Sequence, residues 1–280
     1  MADYRIRTMT SEELGVAVEW AAREGWNPGI HDAELFYLAD RQGFFAGELD
    51  GQMVAAGSAV CYDEQFAFCG LYIVDPAFRG RGLGFALTEA RLAYCGDRNV
   101  GIDGVLENVD IYRRVGYNPF HLNHRFQKEA SVQPFDRESI QRVGAEHLEG
   151  IMQFDRRCFP AARESFLTAW LHQADGCALV FLDRGQIRGF AARRTCLQGH
   201  KIGPLFADNL HVARELFCAL QEGIVGEPVI LDVPENNPDA LQLASENAMQ
   251  EIFATMRMYQ KALPDIEHGK IFGITTFELG

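Results

Sequence analysis

The sequence lacks the long apolar run that a membrane-spanning helix requires. No uncharged apolar stretch reaches about 18 residues, and Asp3, Arg5 and Arg7 stand where a secretory signal would need an apolar core. The seven cysteines are scattered and never form CxxC, which argues against a zinc site or a disulfide framework. We therefore expect a cytoplasmic protein with reduced thiols, no membrane partner and no bound metal.

The sequence also has fewer basic than acidic residues. Lys and Arg number 26 against 39 Asp and Glu, a net charge of −13, and acidic residues are in excess on both sides of residue 130. Proteins that bind nucleic acid or anionic lipid usually display a basic surface. The charge argues against nucleic acid as a main partner and suits a cationic one. Hydrophobic residues make up 48% of the chain, which is ample for a buried core.

One order of predicted elements occurs twice, which indicates a duplicated domain. Each half is expected to contain a strand, two helices, a three-stranded meander and then helix, strand, helix and strand. Hairpin turns at 50–51 and 184–185 are nearly equivalent positions in the two halves. We predict an α+β fold in which each half is a mixed, mostly antiparallel sheet flanked by helices. The predicted domains are 1–130 and 131–280, and the second opens on a strand at 132–135.

The segment 71–85, LYIVDPAFRGRGLGF, is the part of the chain most typical of a ligand site. A strand ends at Pro76, and a turn rich in glycine and arginine leads into a helix. Glycines let backbone amides approach a ligand, and the open N-terminus of a helix favours phosphate. The segment has neither the GKS or GKT of a Walker loop nor the GxGxxG spacing of a dinucleotide fold. It predicts a phosphate or pyrophosphate site, with a solvated surface turn as the alternative.

These residues resemble the acetyl-CoA loop of the GNAT superfamily of N-acetyltransferases. The family's loop reads Arg/Gln-x-x-Gly-x-Gly/Ala, matched by Arg79, Gly82 and Gly84. A second motif, N-x-x-x-Y-x-x-x-G-[FY], is matched by Asn108, Tyr112, Gly116 and Tyr117. This resemblance covers residues 3–128. The whole chain also resembles bacterial tandem GNAT proteins of the YitH and HolE type, through KIGPLFAD and the terminal FGITTFELG.

The resemblance implies an N-acetyltransferase that uses acetyl-CoA and no metal. It implies that the acetyl group passes to a primary amine by direct attack in a ternary complex, with acetyl-CoA held between the strands LYIV and NVGIDGV. Tyr112 would protonate the leaving thiolate, as a phenol with a pKa of about 10 can at neutral pH. The implied cofactor-binding residues are Ile73, Val74, Arg79, Gly80, Arg81, Gly82, Leu83, Gly84 and Asn108.

The sequence offers several candidates for the base that deprotonates the acceptor amine. The carboxylates Asp103, Glu107 and Glu24 are candidates, each of which also fits a solvated or helix-capping role, and a chain of water molecules is an alternative. The resemblance places the loop after the first helix over the acceptor. The expected substrate-binding residues are therefore Glu24, Trp26, Asn27 and Asp32. A small-molecule amine and a peptide amine are both compatible with the sequence, and so are different oligomeric states.

The second half departs from the phosphate-loop pattern. After KIGPLFAD the chain continues as NLHVARELF, without the glycines of the first half. Asp208 would repel a pyrophosphate, and Pro204 lacks a strand N–H. We expect acetyl-CoA to bind only the first half, with the second recognising substrate or a partner. A CoA-binding sensor or scaffold is the alternative function, and aminoacyl transfer from tRNA is a third that the acidic surface disfavours.

Overall fold

The computed structural model describes residues 3–280 and contains the predicted order of elements twice. The first half comprises β1 (Tyr4–Thr8), α1 (Ser11–Arg23), α2 (Asp32–Ala39), β2 (Phe44–Leu49), β3 (Gln52–Cys61), β4 (Phe66–Val74), α3 (Leu83–Cys95), β5 (Asn99–Val105), α4 (Val109–Arg114) and β6 (Asn118–Glu129). The second half comprises β7 (Ile140–Arg142), α5 (Leu148–Cys158), α6 (Glu164–Leu171), β8 (Cys177–Asp183), β9 (Gln186–Thr195), β10 (His200–Ala207), α7 (Leu210–Ala219), β11 (Pro228–Pro234), α8 (Pro238–Glu246) and β12 (Gln250–Tyr259). A last short strand, β13 (Ile271–Gly273), follows. The expected mixed sheet flanked by helices is confirmed.

Both predicted hairpin turns are present and share one conformation. The φ angles are 50° and 84° at Asp50 and Gly51, and 50° and 77° at Arg184 and Gly185. Two consecutive left-handed residues are typical of the type I′ turn, whose twist matches that of the strands it joins. The β2–β3 and β8–β9 hairpins are therefore equivalent features of the two halves.

The predicted strand at 132–135 is wrong. This segment is irregular, and the Val132 side chain that would have to pack is 83% exposed. Pro134 also lacks the N–H that a ladder needs. The second half instead opens on β7, eight residues beyond the start of the expected strand.

The thirteen strands found in residues 3–280 belong to one sheet, in which the two halves exchange strands β6 and β12. The order is β1-β2-β3-β4-β5-β12-β6-β11-β10-β9-β8-β7, and β13 pairs with β10. Strand β12 of the second half lies between β5 and β6, and β6 of the first half pairs with β11. The two expected sheets are thus continuous, and each half relies on a strand that the other supplies.

Strands β4 and β5 pair only at their start and separate toward their carboxyl ends. These strands are parallel, and their pairing covers only Phe66–Cys69 and Asn99–Ile102. Beyond this point β4 contains a β-bulge, in which Leu71 and Tyr72 together lie opposite Gly57 of β3. Leu71 has a φ of 46°, a left-handed conformation that is uncommon for a residue with a branched side chain. A bulge bends its strand, and a cavity opens between the carboxyl ends of β4 and β5.

The equivalent opening in the second half is filled by the chain itself. Strands β10 and β11 are parallel at their start, and β13 then pairs with β10 at Leu205 and Phe206. The Ile274 N–H donates to the Asp232 carbonyl of β11 at 2.9 Å. The C-terminal segment, residues 271–280, therefore bridges the two strands that the first half leaves apart.

One large hydrophobic cluster contains side chains of both halves. Phe36 of α2 stacks on Trp170 of α6 with ring centroids 6.2 Å apart, and both side chains are almost completely buried. Leu14 of α1 and Phe190 of β9 belong to the same cluster. Because aromatic side chains of this size dominate core energetics, this contact fixes the two halves relative to each other.

Within residues 3–280 no helix is long and apolar enough to cross a membrane. Over the same range the cysteines are all free. No group of three or more His, Cys, Asp or Glu side chains in that part of the chain is arranged to hold a metal ion.

Candidate active site

A cavity of about 750 Å³ lies between the carboxyl ends of β4 and β5. Its volume falls in the usual range for ligand sites, about 300–1,000 Å³. The expected site residues that line it are Glu24, Trp26, Ile73, Val74, Arg79, Gly80, Gly82, Leu83, Gly84, Asp103, Glu107, Asn108 and Tyr112. Three expected site residues, Asn27, Asp32 and Arg81, lie outside its lining.

The loop before α3 presents an open helix N-terminus to the cavity. Gly80 and Gly82 are left-handed, with φ angles of 75° and 79°, and open space surrounds the position that a Cβ would take at either residue. The helix starts at Leu83, and no side chain in the described part of the chain caps it. A Cβ on Gly84 would clash with the Tyr72 hydroxyl, so glycine lets α3 lie close to β4. Uncapped amides at a helix start favour a phosphate group.

The two arginines of this loop are engaged elsewhere. Arg79 donates through Nη2 to Glu24 Oε1 at 2.5 Å and through Nε to the Val74 carbonyl at 2.8 Å. It therefore fastens the loop to β4 and to the end of α1. Arg81 was expected from the sequence at the cofactor, but its guanidinium lies over the Phe78 ring, 5.4 Å from the centroid. Arg79 thus lines the cavity but is bonded to the protein itself, and Arg81 lies outside the lining.

The equivalent helix entrance in the second half is closed. Asn209 caps α7, since its side chain accepts a hydrogen bond from the Val212 N–H at 3.1 Å. Asp208 precedes this cap and pairs with Lys270 at 2.6 Å. A side-chain cap occupies the amides that a phosphate would need. An anion here would meet a capped helix and a carboxylate.

Tyr112 of α4 reaches the cavity next to Gly104 of β5. A Cβ on Gly104 would clash with the Tyr112 ring, so glycine at this position allows the ring to pack on the strand. Burial raises the pKa of Tyr112 above its usual value of 10.0. The hydroxyl is therefore protonated at neutral pH and can act as a proton donor. Asn108, which precedes α4, lines the same cavity.

Asp103 of β5 belongs to a buried ion pair. Arg257 of β12 donates to its two carboxylate oxygens at 2.7 Å each, and Asn123 of β6 donates to Oδ1 at 2.7 Å. Burial raises the pKa of Asp103, and the charge of Arg257 opposes that shift. The sequence suggests Asp103 as a base. In the structure its oxygens are already hydrogen-bonded, and the residue joins the exchanged strand β12 to the first half.

Two further candidate bases lie at the rim of the cavity. Glu107 is in the turn between β5 and α4 and is exposed. Glu24 follows α1 and is paired with Arg79. Glu107 is therefore open to water, and Glu24 is engaged by a guanidinium.

The loop between α1 and α2 is attached to the second half. Trp26 lines the cavity, and its carbonyl accepts hydrogen bonds from Arg125 Nη1 at 3.1 Å and Lys201 Nζ at 2.9 Å. Asn27 exchanges two hydrogen bonds with the main chain of Gln198, at 2.8 and 2.9 Å. The loop therefore bridges the halves beside the cavity.

Asp32 forms a second link of the same kind. It is 1% exposed, and its oxygens accept from Arg194 Nε at 3.0 Å and from the Gly29 N–H at 2.7 Å. Asn27 and Asp32 were expected at the acceptor. Both instead lie outside the cavity, because their polar groups are bonded to the second half and to the loop itself.

Residues from distant parts of the chain complete the cavity, and the sequence interpretation missed them. They are Arg125, Phe253, Thr255, Phe277 and Glu278. They come from β6, from the exchanged strand β12 and from the C-terminal segment. No local motif marks them, since only the strand exchange and the path of the C-terminal segment bring them to β4 and β5.

Known proteins resemble this chain over both halves. Residues 10–117 match the Acetyltransferase (GNAT) family, and residues 151–273 match an Acetyltransferase (GNAT) domain. Holothin acyltransferase of Pseudoalteromonas sp. (strain SANK 73390) is 30% identical over 270 residues, which cover 96% of this chain and 92% of that protein. The uncharacterised N-acetyltransferase YitH of Bacillus subtilis (strain 168) is 22% identical over 278 residues, 96% of each chain.

A solved structure shares the fold of the whole chain. The crystal structure of a candidate acetyltransferase from Pyrococcus horikoshii has a TM-score of 0.83 and 20% identity, covering 99% of this chain and 96% of that one. At this identity the likeness concerns the fold alone. Two GNAT domains therefore occur here in tandem, as the repeated order of elements indicates. With a relative at 30% identity along almost its whole length, the chain is an acyltransferase that belongs to the GNAT family.

Proposed function

We propose that this acyltransferase is an acetyl-CoA-dependent N-acetyltransferase, which acts on a primary amine by direct attack in a ternary complex. One observation carries the proposal: a single cavity is lined both by the open helix entrance at Gly82 and by the phenol of Tyr112. The first offers amides to an anionic phosphate group, and the second offers a proton to a leaving group.

The cavity fits acetyl-CoA, which supplies the acetyl group as a reactive thioester. The amides at the start of α3 would hold the pyrophosphate, with space provided by Gly80 and Gly82. The pairing of β4 with β5 ends at Cys69, so the pantetheine would lie along β4 at Ile73 and Val74, where the Val74 carbonyl is held by Arg79. We assign Leu83, Gly84 and Asn108 to the same site, and Arg79 to holding the loop in place.

The residues of the chain contribute position and proton transfer. A cavity that holds two reactants in a fixed orientation raises their effective concentration greatly. Leu71 and Tyr72, in the bulge of β4, line the cavity, and a main-chain N–H donor there would stabilise the negative charge that develops on the thioester oxygen. Tyr112 gives its Oη proton to the departing sulfur.

The acceptor is proposed to be a small-molecule or peptide amine that carries positive charge in solution. The net charge of −13 favours encounter with a cation. The acidic surface also makes nucleic acid an unsuitable partner. Carboxylates from both halves line the cavity, among them Glu107 of the first half and Glu278 of the second.

An acetyl-CoA consumption screen tests the proposal. Alkyl amines, aryl-alkyl amines, polyamines, amino sugars and short peptides would be offered to the full chain, with the corresponding alcohols as matched controls. We expect acetylated product from at least one amine, identified by mass spectrometry, and none from its alcohol. Acetyl-CoA binding without turnover on any amine would favour the sensor or scaffold function instead. No binding of acetyl-CoA at all would refute both.

A further inference from the structure

We infer that Glu278, in the C-terminal segment, is the carboxylate that receives the ammonium group of the acceptor and takes its proton. The inference rests on the proposed function and assigns a residue that lies outside both motifs of the first half. It also implies that the second half of the chain supplies part of the acceptor site.

The first support is the burial of a carboxylate that has an unpartnered oxygen. Glu278 lines the cavity and is only 6% exposed. Within residues 3–280 no donor lies within hydrogen-bond distance of its buried Oε2. A buried carboxyl oxygen without a donor is unfavourable. An alkylammonium has three N–H donors and a positive charge, so it satisfies this oxygen on binding.

The other carboxylates of the cavity are already occupied or exposed. Glu24 is held by an arginine of the loop before α3 at 2.5 Å. Asp103 is held by Arg257 at 2.7 Å. Glu107 is exposed at the rim. Among the carboxylates that line the cavity, Glu278 alone is buried without an ion-pair partner within residues 3–280.

The backbone around Glu278 is held in place. Its N–H donates to Thr276 Oγ1 at 2.9 Å, and the Leu279 carbonyl accepts from Tyr62 Oη at 2.8 Å. A Cβ on Gly70 of β4 would clash with the Glu278 carbonyl oxygen. Glycine at position 70 therefore lets the C-terminal segment lie directly against the strand that borders the cavity.

Three basic side chains, Lys201, Arg125 and Arg194, interact electrostatically with Glu278. Burial, Arg125 and Arg194 lower the pKa of Lys201 to about 8, and Glu278 and Asp232 oppose that shift. The two arginines each have a buried aspartate as a partner. Their charges are largely neutralised, and Lys201 donates to the Trp26 carbonyl at 2.9 Å, so the Glu278 carboxylate is left for an incoming ammonium group.

The walls of this end of the cavity define the class of amine. Trp26, Phe253 and Phe277 line it, and aromatic walls favour an apolar body. The Thr255 hydroxyl, in a residue only 2% exposed, also lacks a partner within residues 3–280. We therefore expect a primary amine on a compact apolar body, with a polar group that can bond to Thr255.

The proton balance is complete with Glu278 and Tyr112. Glu278 takes the first proton of the ammonium group, which frees the nitrogen lone pair. The N–C bond forms as the thioester C–S bond breaks, and Tyr112 protonates the sulfur. The second nitrogen proton returns to the Tyr112 oxygen, and Glu278 releases its proton to water.

Replacement of Glu278 in the full chain tests the inference, using the best amine from the screen. Glu278→Gln keeps the shape and removes the proton acceptor. We expect kcat/KM for the amine to fall about 10²-fold or more, with acetyl-CoA affinity and thermal stability unchanged. Activity of the variant should recover as pH rises toward about 10, because solution then supplies the free amine. Glu278→Asp should retain part of the activity, and exposed Glu64→Gln should retain all of it.

Several results would overturn the inference. Wild-type kcat/KM in Glu278→Gln would do so, as would a loss that does not recover at high pH. Weakened acetyl-CoA binding or a lowered Tm would assign Glu278 to structure. A wild-type chain that acetylates no amine is a different result, read before any variant is made, and it refutes the proposed function together with this inference.

Discussion

Arg257 of the second half holds Asp103 of the first by two hydrogen bonds of 2.7 Å each. The two side chains are 10% and 0% exposed. The guanidinium also lies over the ring of Phe68, 5.0 Å from its centroid. The ion pair therefore stands where the exchanged strand β12 meets β5, beside the cavity.

Breaking this pair from one side should destabilise the fold strongly. Arg257→Met leaves a buried carboxylate without its partner, and we expect the free energy of unfolding to fall by about 3–5 kcal/mol. Urea denaturation measures the change, and the double variant Asp103→Leu/Arg257→Met should recover most of it. Arg113→Met breaks an exposed pair with Asp110 and should change stability by less than about 1 kcal/mol. Equal losses in the two single variants would contradict the expectation.

Local sequence patterns predicted the elements well because each depends on neighbouring residues. Asp50 and Gly51 mark a hairpin through their left-handed backbone. Gly80, Gly82 and Gly84 mark the turn into α3, which lines the cavity. Such features require no knowledge of the rest of the chain, and the repeated order of elements followed from them.

The strand exchange could not be predicted in the same way. Placing β12 or β6 beside β5 leaves the local pattern of both strands unchanged, so periodicity does not distinguish the two arrangements. The residues that depend on the exchange were missed for that reason. Glu278 reaches the cavity only through the tertiary path of the chain, and Asn27 and Asp32 are bonded to residues more than 160 positions away.

Acetyl-CoA should bind once per chain. The first half has an uncapped helix entrance at Gly82, whereas the second half has a capped one and a split filled by β13. Isothermal titration calorimetry should find one site, and Gly82→Asp should abolish it by crowding and repelling phosphate. Gly185→Asp is the matched control, since Gly185 has a φ of 77°, similar to that of Gly82, and also lies in open space. Two equivalent sites would refute the expectation.

Tyr112→Phe should slow turnover and leave binding intact. The change keeps the ring that packs on Gly104 and removes only the proton donor, so kcat should fall about 10²-fold with acetyl-CoA affinity unchanged. Tyr37→Phe, in α2, serves as the control. Because burial raises the pKa of Tyr112 above 10.0, its protonated form persists below that pH, and the loss of activity due to its ionisation should begin only above it. An unchanged kcat would assign Tyr112 to packing.

Stability should depend on pH through Lys201. This residue is 2% exposed, and burial together with Arg125 and Arg194 lowers its pKa from 10.5 to about 8. Between these values the unfolded chain binds more protons than the folded one, so the free energy of unfolding rises with pH, by on the order of 3 kcal/mol in total. The free energy of unfolding of the wild type minus that of Lys201→Met should show this rise between about pH 8 and pH 10. Lys201→Arg, which stays charged over this range, should lack the rise. A difference between wild type and Lys201→Met that does not change with pH would contradict the lowered pKa of Lys201.

The two halves should fold only together, although we propose that they are separate units along the chain, 1–130 and 131–280. Strand β12 pairs with both β5 and β6, so a fragment ending at residue 130 leaves β5 with an unpaired edge and β6 without either neighbour. Unpaired edges of this kind promote aggregation. We expect each fragment alone to show no cooperative unfolding. The two produced together should co-purify in equal amounts and unfold with the transition of the intact chain. A monomeric first fragment that unfolds cooperatively at the stability of the whole protein would show that the exchanged strand is dispensable.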